Sequence, residues 1–426
     1  MRPVNLALIG LGTVGGGVVD IIRKHHDDLV KHQGIDLRLV ACTSRRRESA
    51  ENLGIDDIYV ETAEEIYAND SIDIVIELVG GTTAAKDNVL GALNSGKHVV
   101  TANKALMASC GHEVFDAAAA NGVSVLFGAS VGGGIPIIGP MKHSLTPNSI
   151  SSVMGIVNGT TNYMLTRIGE DGLDYSDALR EAQRKGYAEA NPSADVEGFD
   201  AAAKIAILAS IAFNSRITID DVHTEGITSI HPMDLEFAQE MGYTVKLLAI
   251  ANRTPNGIDI RVHPAMLPLG HQLSTVNGVF NAIYMVGDFV GEAMFFGEGA
   301  GSGPAASAVM GDVIETAKLI TDGVTTFRGC TCTDKLDIVP IDELRTQYYI
   351  RIPVLDEPGV FATIAECFAK HRISIKSVVQ RGGDGRTTDL VVITHDALEK
   401  DVQSAIERVM QTDVIISSPQ LIRLVG

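Results

Sequence analysis

Residues 4–25, VNLALIGLGTVGGGVVDIIRKH, decide the fold at the head of the chain. The apolar run Val4 to Ile9 reads as a buried strand, Gly10-Leu11-Gly12-Thr13-Val14-Gly15 as a glycine turn, and GGVVDIIRKH as the helix that follows. Gly10 permits the tight turn, Gly12 lets a pyrophosphate approach the backbone, and Gly15 allows close helix packing, while the helix N-terminus attracts the anion. The spacing predicts a Rossmann-like domain with cofactor contacts at Gly10, Gly12, Thr13, Val14 and Gly15. A purely structural glycine turn is the alternative reading of the same residues.

The next strand, Leu37 to Ala41, ends without the acidic residue that binds the 2′-hydroxyl of NAD. The chain instead reads Cys42-Thr43-Ser44-Arg45-Arg46-Arg47. Arginine presents a planar fork matched to phosphate oxygens, so Arg45 and Arg46 point to NADP(H), with NAD(H) also usable. The alternative is a solvated basic turn. Against it stands a net charge of -19, which makes three successive arginines a local exception. Two further strands, Ile72 to Leu78 and His98 to Thr101, reach the same sheet edge, where ligands of open α/β sheets bind. Thr101 and Lys104 are thereby directed toward the nicotinamide end, although Lys104 also reads as an ordinary helix-entry lysine.

A second informative stretch is 186–204, GYAEANPSADVEGFDAAAK, which sets four carboxylates and a lysine beside the apolar helix FDAAAKIAILASIAF at Phe199 to Phe213. Asp200 and Lys204 lie one turn apart on one helix face. An exposed i,i+4 pair of this kind contributes only about 0.2–0.5 kcal/mol. In apolar surroundings, desolvation roughly cancels the Coulomb gain, so the pair is better evidence for a site than for stability.

The segment 186–204 resembles the signature of homoserine dehydrogenases. The resemblance implies that Glu189 and Asp195 hold the ammonium of an amino-acid substrate, while Asp200 and Lys204 stand beside its reacting hydroxyl or carbonyl. Asn191 departs from the aspartate often found in the family. TANKAL at 101–106 resembles the family motif whose lysine, here Lys104, lies in the active site, and the division of labour between Lys104 and Lys204 stays open. Gly155 to Tyr163, GIVNGTTNY, is similar to the segment that brings Asn158, Gly159 and Thr160 near substrate. Gly299 to Pro304, GAGSGP, resembles the return of the chain to the cofactor, with Gly301 among the contacts. Gly128 to Pro136, GASVGGGIP, resembles the segment that in some members binds sodium or potassium through backbone carbonyls, here Val131, Gly133 and Ile135. The family usually has Glu where this chain has Gly128, which removes the side-chain carboxylate of that site. A glycine-rich hinge is the alternative.

The C-terminal residues form a separate unit. Strand-like runs Tyr348 to Leu355, Ile373 to Gln380, Asp389 to Thr394 and Val414 to Leu424 alternate with two helical stretches, giving a ferredoxin-like βαββαβ order. Asp396 and Glu399 read as a capping box for the second helix. Asp356-Glu357-Pro358-Gly359-Val360 resembles the first turn of ACT domains, implying an effector site at Asp356, Gly359 and Val360, for which threonine is the expected ligand, or else a dimerisation module.

Composition agrees. A chain of 426 residues, 45% hydrophobic, is expected to hold several cores, and its acidity argues against nucleic-acid binding. No apolar run reads as a bilayer span, and no signal or transit peptide is evident at the head of the chain. Five irregularly spaced cysteines fit reduced cytoplasmic thiols, and Cys330-Thr-Cys332 reads as structural rather than zinc-binding. The expected architecture is a multidomain protein combining α/β and α+β parts. It consists of a Rossmann-like cofactor domain (1–135), a mixed-sheet substrate and dimerisation domain (136–298), a return helix and connector (299–344) and an ACT regulatory domain (345–426). The resemblance implies a monofunctional, homodimeric or higher oligomeric enzyme that interconverts L-aspartate 4-semialdehyde and L-homoserine. Two competitors are a phosphorylating dehydrogenase of the same semialdehyde, which needs a cysteine nucleophile the motifs lack, and a catalytically silent amino-acid sensor. The second need not retain Lys104, Glu189, Asp200 and Lys204 together.

Overall fold

In a computed structural model, residues 2–324, 330–381, 383 and 385–425 are described. The chain divides into two units, one built from residues up to Val153 with Ala203–Asp221 and Phe280–Leu336, the other from Met154–Ala202, Val222–Val279 and residues from Asp337 onward.

In the first unit, β1 (Val4–Ile9), β2 (Leu37–Thr43), β3 (Ile74–Glu77), β4 (His98–Thr101) and β5 (Val125–Leu126) form an all-parallel sheet in the order β2-β1-β3-β4-β5. Their near-continuous apolar character follows from burial on both faces, as parallel sheets require. The strand order reverses between β1 and β3, which opens the ligand crevice at their C-terminal ends. Register places Ile9 beside Glu77 and Glu77 beside Thr101, one row along that edge. The helix Thr13–Asp28 packs on the returning helix Ser302–Thr321, where a Cβ at Gly17 would lie 2.7 Å from the Ala306 Cβ. Val4, Leu6, Leu8, Val18, Val19, Val309 and Val313 share one core with that contact. The same unit carries the antiparallel hairpin Phe280–Gly287 and Gly291–Glu298, whose Phe280 and Phe296 rings stack at 5.1 Å on its exposed side.

The second unit is a mixed sheet. Strands Tyr243–Thr254 and Gly257–Pro268 pair antiparallel along their whole length, and Gln420–Leu424 joins Gly257–Pro268 in parallel. Tyr348–Leu355, Thr387–Thr394 and Ile375–Arg381 then follow, all antiparallel. Helices Val360–Lys370 and Glu399–Met410 cover a core of Tyr348, Ile350, Ile352, Ile364, Phe368, Val392, Val402 and Val409. This is the expected ferredoxin-like unit.

Some expectations need correction. The last strand is shorter than Val414–Leu424, because Pro419 has no N–H to donate and strand pairing resumes only at Gln420. The helix Glu399–Met410 is capped by Leu398, not Asp396, since Ala397 and Leu398 pair with Arg345 and Thr346 and the Glu399 carboxylate is turned to Arg423. The expected connector over 322–344 includes residues 325–329, which lie outside those described. Among the described residues, no helix is long and apolar enough to cross a membrane.

Candidate active site

The turn after β1 is built for close approach. Gly10 has φ +102°, and a Cβ there would lie 2.9 Å from the Leu78 carbonyl carbon, so the first and third strand ends meet only through glycine. Gly12 caps the helix Thr13–Asp28 without any side-chain hydrogen bond, and a Cβ at that position would meet nothing within 4 Å. The space beside Gly12 is thus open to close approach at the helix N-terminus, the arrangement that receives a phosphate. Gly301, N-cap of the returning helix, opens the segment whose Ser302 hydroxyl donates to the Thr13 carbonyl at 2.8 Å.

Beyond β2 the three arginines part company. Arg47 lies 3.6 Å from Glu61 and 5.3 Å over the Tyr59 ring, while Tyr59 donates to the Ser44 carbonyl. Arg45 and Arg46 are exposed, and among the described residues neither has an acidic partner.

At the β3 edge stands a residue that sequence reasoning missed. Glu77 is completely buried; its carboxylate accepts from Val79 N at 2.7 Å and from the Thr101 hydroxyl at 2.8 Å. Burial pushes its pKa up to about 7 in spite of those two donors. Asn103 adds a second tie: its Nδ2 donates to Val79 O and Gly81 O, and its Oδ1 accepts from Leu106 N. That last bond caps the helix Lys104–Asn121, so the residue immediately before Lys104 fixes where the lysine begins its helix. The only signal in the sequence was a carboxylate and an amide following two apolar strands.

In the second unit, Asn158 caps the helix Gly159–Asp171 through its Oδ1, which accepts from Thr161 N at 2.8 Å. Its Nδ2 donates to Asp195 at 2.7 Å and to Asp200 at 2.9 Å. One amide thus joins the first turn of the helix Phe199–Phe213 to the short helix Ser193–Val196. Thr160 donates to Tyr187 O at 2.6 Å, which fixes the stretch leading to Glu189. The Glu189 side chain is exposed, and its carbonyl accepts from Gln183. Asp200 and Lys204 are 7% and 8% exposed, both on the Phe199–Phe213 helix, which is otherwise almost wholly apolar. Paired carboxylates with restricted water suit a cationic group such as an ammonium.

Gly128 meets a carboxylate from far along the chain. Asp312, on the helix Ser302–Thr321, accepts from Gly128 N at 2.6 Å, and its Oδ1 lies 2.8 Å from where a Cβ at 128 would sit. Burial pushes the Asp312 pKa up to about 7. Val131, Gly133 and Ile135 are buried, and the Ile135 carbonyl already accepts from Ile137 N. Among the described residues, no group of three or more His, Cys, Asp or Glu is placed to hold a metal ion. Cys332 donates its thiol to Ser210 O, and the Cys330 sulfur accepts from Cys332 N. In the C-terminal unit, Gly359, at φ +97°, caps the helix Val360–Lys370 beside exposed Asp356, which accepts from Gln380 at 2.9 Å.

Comparison with known proteins gives three family matches. Residues 10–128 match the homoserine dehydrogenase NAD-binding domain, 136–314 the homoserine dehydrogenase domain, and 348–413 the ACT domain. A homoserine dehydrogenase of Neisseria gonorrhoeae is 39% identical, with 100% of this chain and 99% of the relative covered. The crystal structure of a homoserine dehydrogenase from Thiobacillus denitrificans superposes with TM-score 0.94 at 40% identity, covering 100% of this chain and 98% of the other. A hyperthermophilic archaeal homoserine dehydrogenase in complex with NADPH superposes with TM-score 0.65 at 26% identity, covering 77% of this chain and 100% of the other.

Proposed function

The chain belongs to the homoserine dehydrogenase family of NAD(P)-dependent oxidoreductases, and from that premise we propose that it catalyses reversible NADP(H)-dependent hydride transfer between L-aspartate 4-semialdehyde and L-homoserine, on the route to threonine and methionine. The observation that carries this reading is the joined pair Asp195 and Asp200, two carboxylates held by one amide, which matches an amino-acid substrate. In this reading Glu189 and Asp195 bind the substrate ammonium, Gly159 and Thr160 line its path, and Asp200 stands beside the reacting oxygen. When bound, the nicotinamide supplies or accepts the hydride. Lys204 or Lys104 gives the proton to the carbonyl oxygen in reduction and takes it back in oxidation, while the other orients substrate or stabilises charge on oxygen.

The cofactor contacts are Gly10, Gly12, Thr13, Val14, Gly15, Thr101, Lys104 and Gly301, with Arg45 and Arg46 on the 2′-phosphate. The missing acid after β2 and the exposure of those two arginines, neither with an acidic partner among the described residues, support NADP(H) over NAD(H). The NADPH complex of the archaeal relative is consistent with that preference. A sodium or potassium ion at the carbonyls of Val131, Gly133 and Ile135 belongs to the same reading, weakly held because position 128 offers no carboxylate. The exposed ring pair Phe280 and Phe296, with Phe289 at 87% exposure, supports a homodimer closing over that hairpin. Threonine is taken as the effector at Asp356, Gly359 and Val360, and the cytoplasm as the compartment. The working division is a cofactor domain to residue 135, a substrate and dimerisation domain over 136–298, a return helix and connector over 299–344, and a regulatory domain from 345.

The test is L-homoserine-dependent reduction of NADP⁺ by the purified protein, with L-threonine and potassium titrated separately. Turnover that threonine suppresses supports both the active-site and the effector assignments; turnover without suppression removes the effector role. No turnover, with NADPH binding demonstrated, defeats the reading.

A further inference from the structure

The carboxamide of Asn158 offers two N–H donors and two acceptor lone pairs. All four are committed within the protein. Oδ1 accepts from Thr161 N at 2.8 Å and from the Thr161 hydroxyl at 2.9 Å, while Nδ2 donates to Asp195 Oδ1 at 2.7 Å and Asp200 Oδ2 at 2.9 Å. The orientation of the amide is dictated by these neighbours, since the opposite orientation would turn its oxygen onto two carboxylates and its N–H groups onto a backbone N–H. The residue is 5% exposed. We propose that Asn158 is a positioning residue: it holds Asp195 and Asp200 at the separation the substrate requires and makes no side-chain contact with substrate itself.

Backbone geometry supports this division. Asp195 sits in a short helix, Ser193–Val196, fixed by Asp195 N to Pro192 O and by Ile227 N to Val196 O. Asp200 sits in the first turn of its own helix, with Ala202 N bonded to Gly198 O. The two main-chain positions are thus set independently of Asn158, and its amide acts on the directions of the two side chains. Two like charges sharing one amide repel each other, and a donor between them offsets that repulsion. The amide donates to both carboxylates, and its capping bond anchors it to the helix Gly159–Asp171 at the same time. The inference rests on the acid pair being the substrate site.

Three substitutions separate the clamp from the cap. Asn158→Ser and Asn158→Asp both retain a side-chain oxygen suited to capping and lose the twin donors, whereas Asn158→Ala loses both functions. With the clamp as described, the Ser variant keeps thermal stability close to wild type, the Asp variant is destabilised by a third carboxylate set against Asp195 and Asp200, and both bind NADPH normally. Their kcat/KM for L-homoserine falls by about 10–100-fold, as expected for the loss of charge-assisted hydrogen bonds and the misorientation of reacting groups. KM rises through Asp195 and kcat falls through Asp200. If Asn158 only caps its helix, the Ser variant recovers wild-type kcat and KM while Ala is impaired, and the proposal is overturned. Wild-type protein that binds NADPH but does not turn over L-homoserine overturns the underlying reading, a result distinct from either variant outcome.

Discussion

Replacing Glu77 by glutamine tests whether a buried carboxyl sets the pH response of the cofactor half. The side chain is fully buried and its pKa is raised from 4.5 to about 7, chiefly by burial. At 1.36 kcal/mol per pKa unit, this corresponds to about 3 kcal/mol. The sign follows from proton uptake. Between pH 4.5 and 7 the folded state holds more protons at this site than the unfolded state, so the contribution is complete below about pH 4.5 and is lost as pH rises through about 7. Between pH 5 and 7.5, wild type therefore loses about 2 kcal/mol relative to Glu77→Gln, whose amide does not titrate. His98, lowered to about 4 by burial, and Asp312, raised to about 7 by burial, titrate in overlapping ranges of the same unit. Both are present in the two proteins, so the informative quantity is the difference between their stability curves. Hydrogen exchange of the β3 and β4 amides at several pH values, corrected for intrinsic exchange, measures it locally. Parallel curves for wild type and variant would refute the assignment.

Arg45→Glu combined with Arg46→Glu weakens NADPH more than NADH in a fluorescence titration; equal weakening removes both arginines from the 2′-phosphate. Lys204→Met lowers kcat by about 10²–10⁴-fold, the range of positioned acid–base catalysis, with NADPH binding retained; near-normal turnover takes Lys204 out of the chemistry. Arg423→Met leaves the buried Glu399 without its cation and destabilises the C-terminal unit by about 3–5 kcal/mol, measured by hydrogen exchange. Adding Glu399→Gln to that variant recovers part of the loss; an unchanged protection pattern in the single variant would show that the pair carries no stability.

What the sequence revealed depended on how local the cause was. The strand, turn and helix of residues 4–28 were legible because each signal lies within a few residues of the next. The bounds of the helix Phe199–Phe213 were legible because an apolar run is bracketed by Gly198 at φ +89° and Asn214 at φ 51°. Glu77 was passed over because a carboxylate at the end of IVIE reads as the strand emerging into solvent, whereas Val79 N and Thr101 keep it inside. Nothing near Gly128 announces Asp312, which lies 184 residues away and accepts from its N–H. Glu399 misled for the same reason, since its partner Arg423 comes 24 residues later and local capping rules cannot see it.

Arg423 also explains why the C-terminal unit is more than an appended module. Arg423 is 1% exposed, and its guanidinium donates to both oxygens of Glu399 and both oxygens of Glu225, the latter outside the βαββαβ unit. Its strand continues the sheet at Ala265 and Met266, so main-chain pairing and the ion cluster fall on the same residues. A second buried cluster repeats the pattern: Arg351 and Tyr349 both donate to Asp234, which is wholly buried on the helix Pro232–Glu240. Removing residues from 345 onward would bare the edge of Gly257–Pro268 and take the arginine partners from Glu225 and from the wholly buried Asp234. Glu225 is two residues from Ile227, whose N–H holds Val196 O, and Val196 adjoins Asp195. The C-terminal unit and the acid pair are therefore built into one continuous piece of structure, and loss of the former disturbs the backbone that carries the latter.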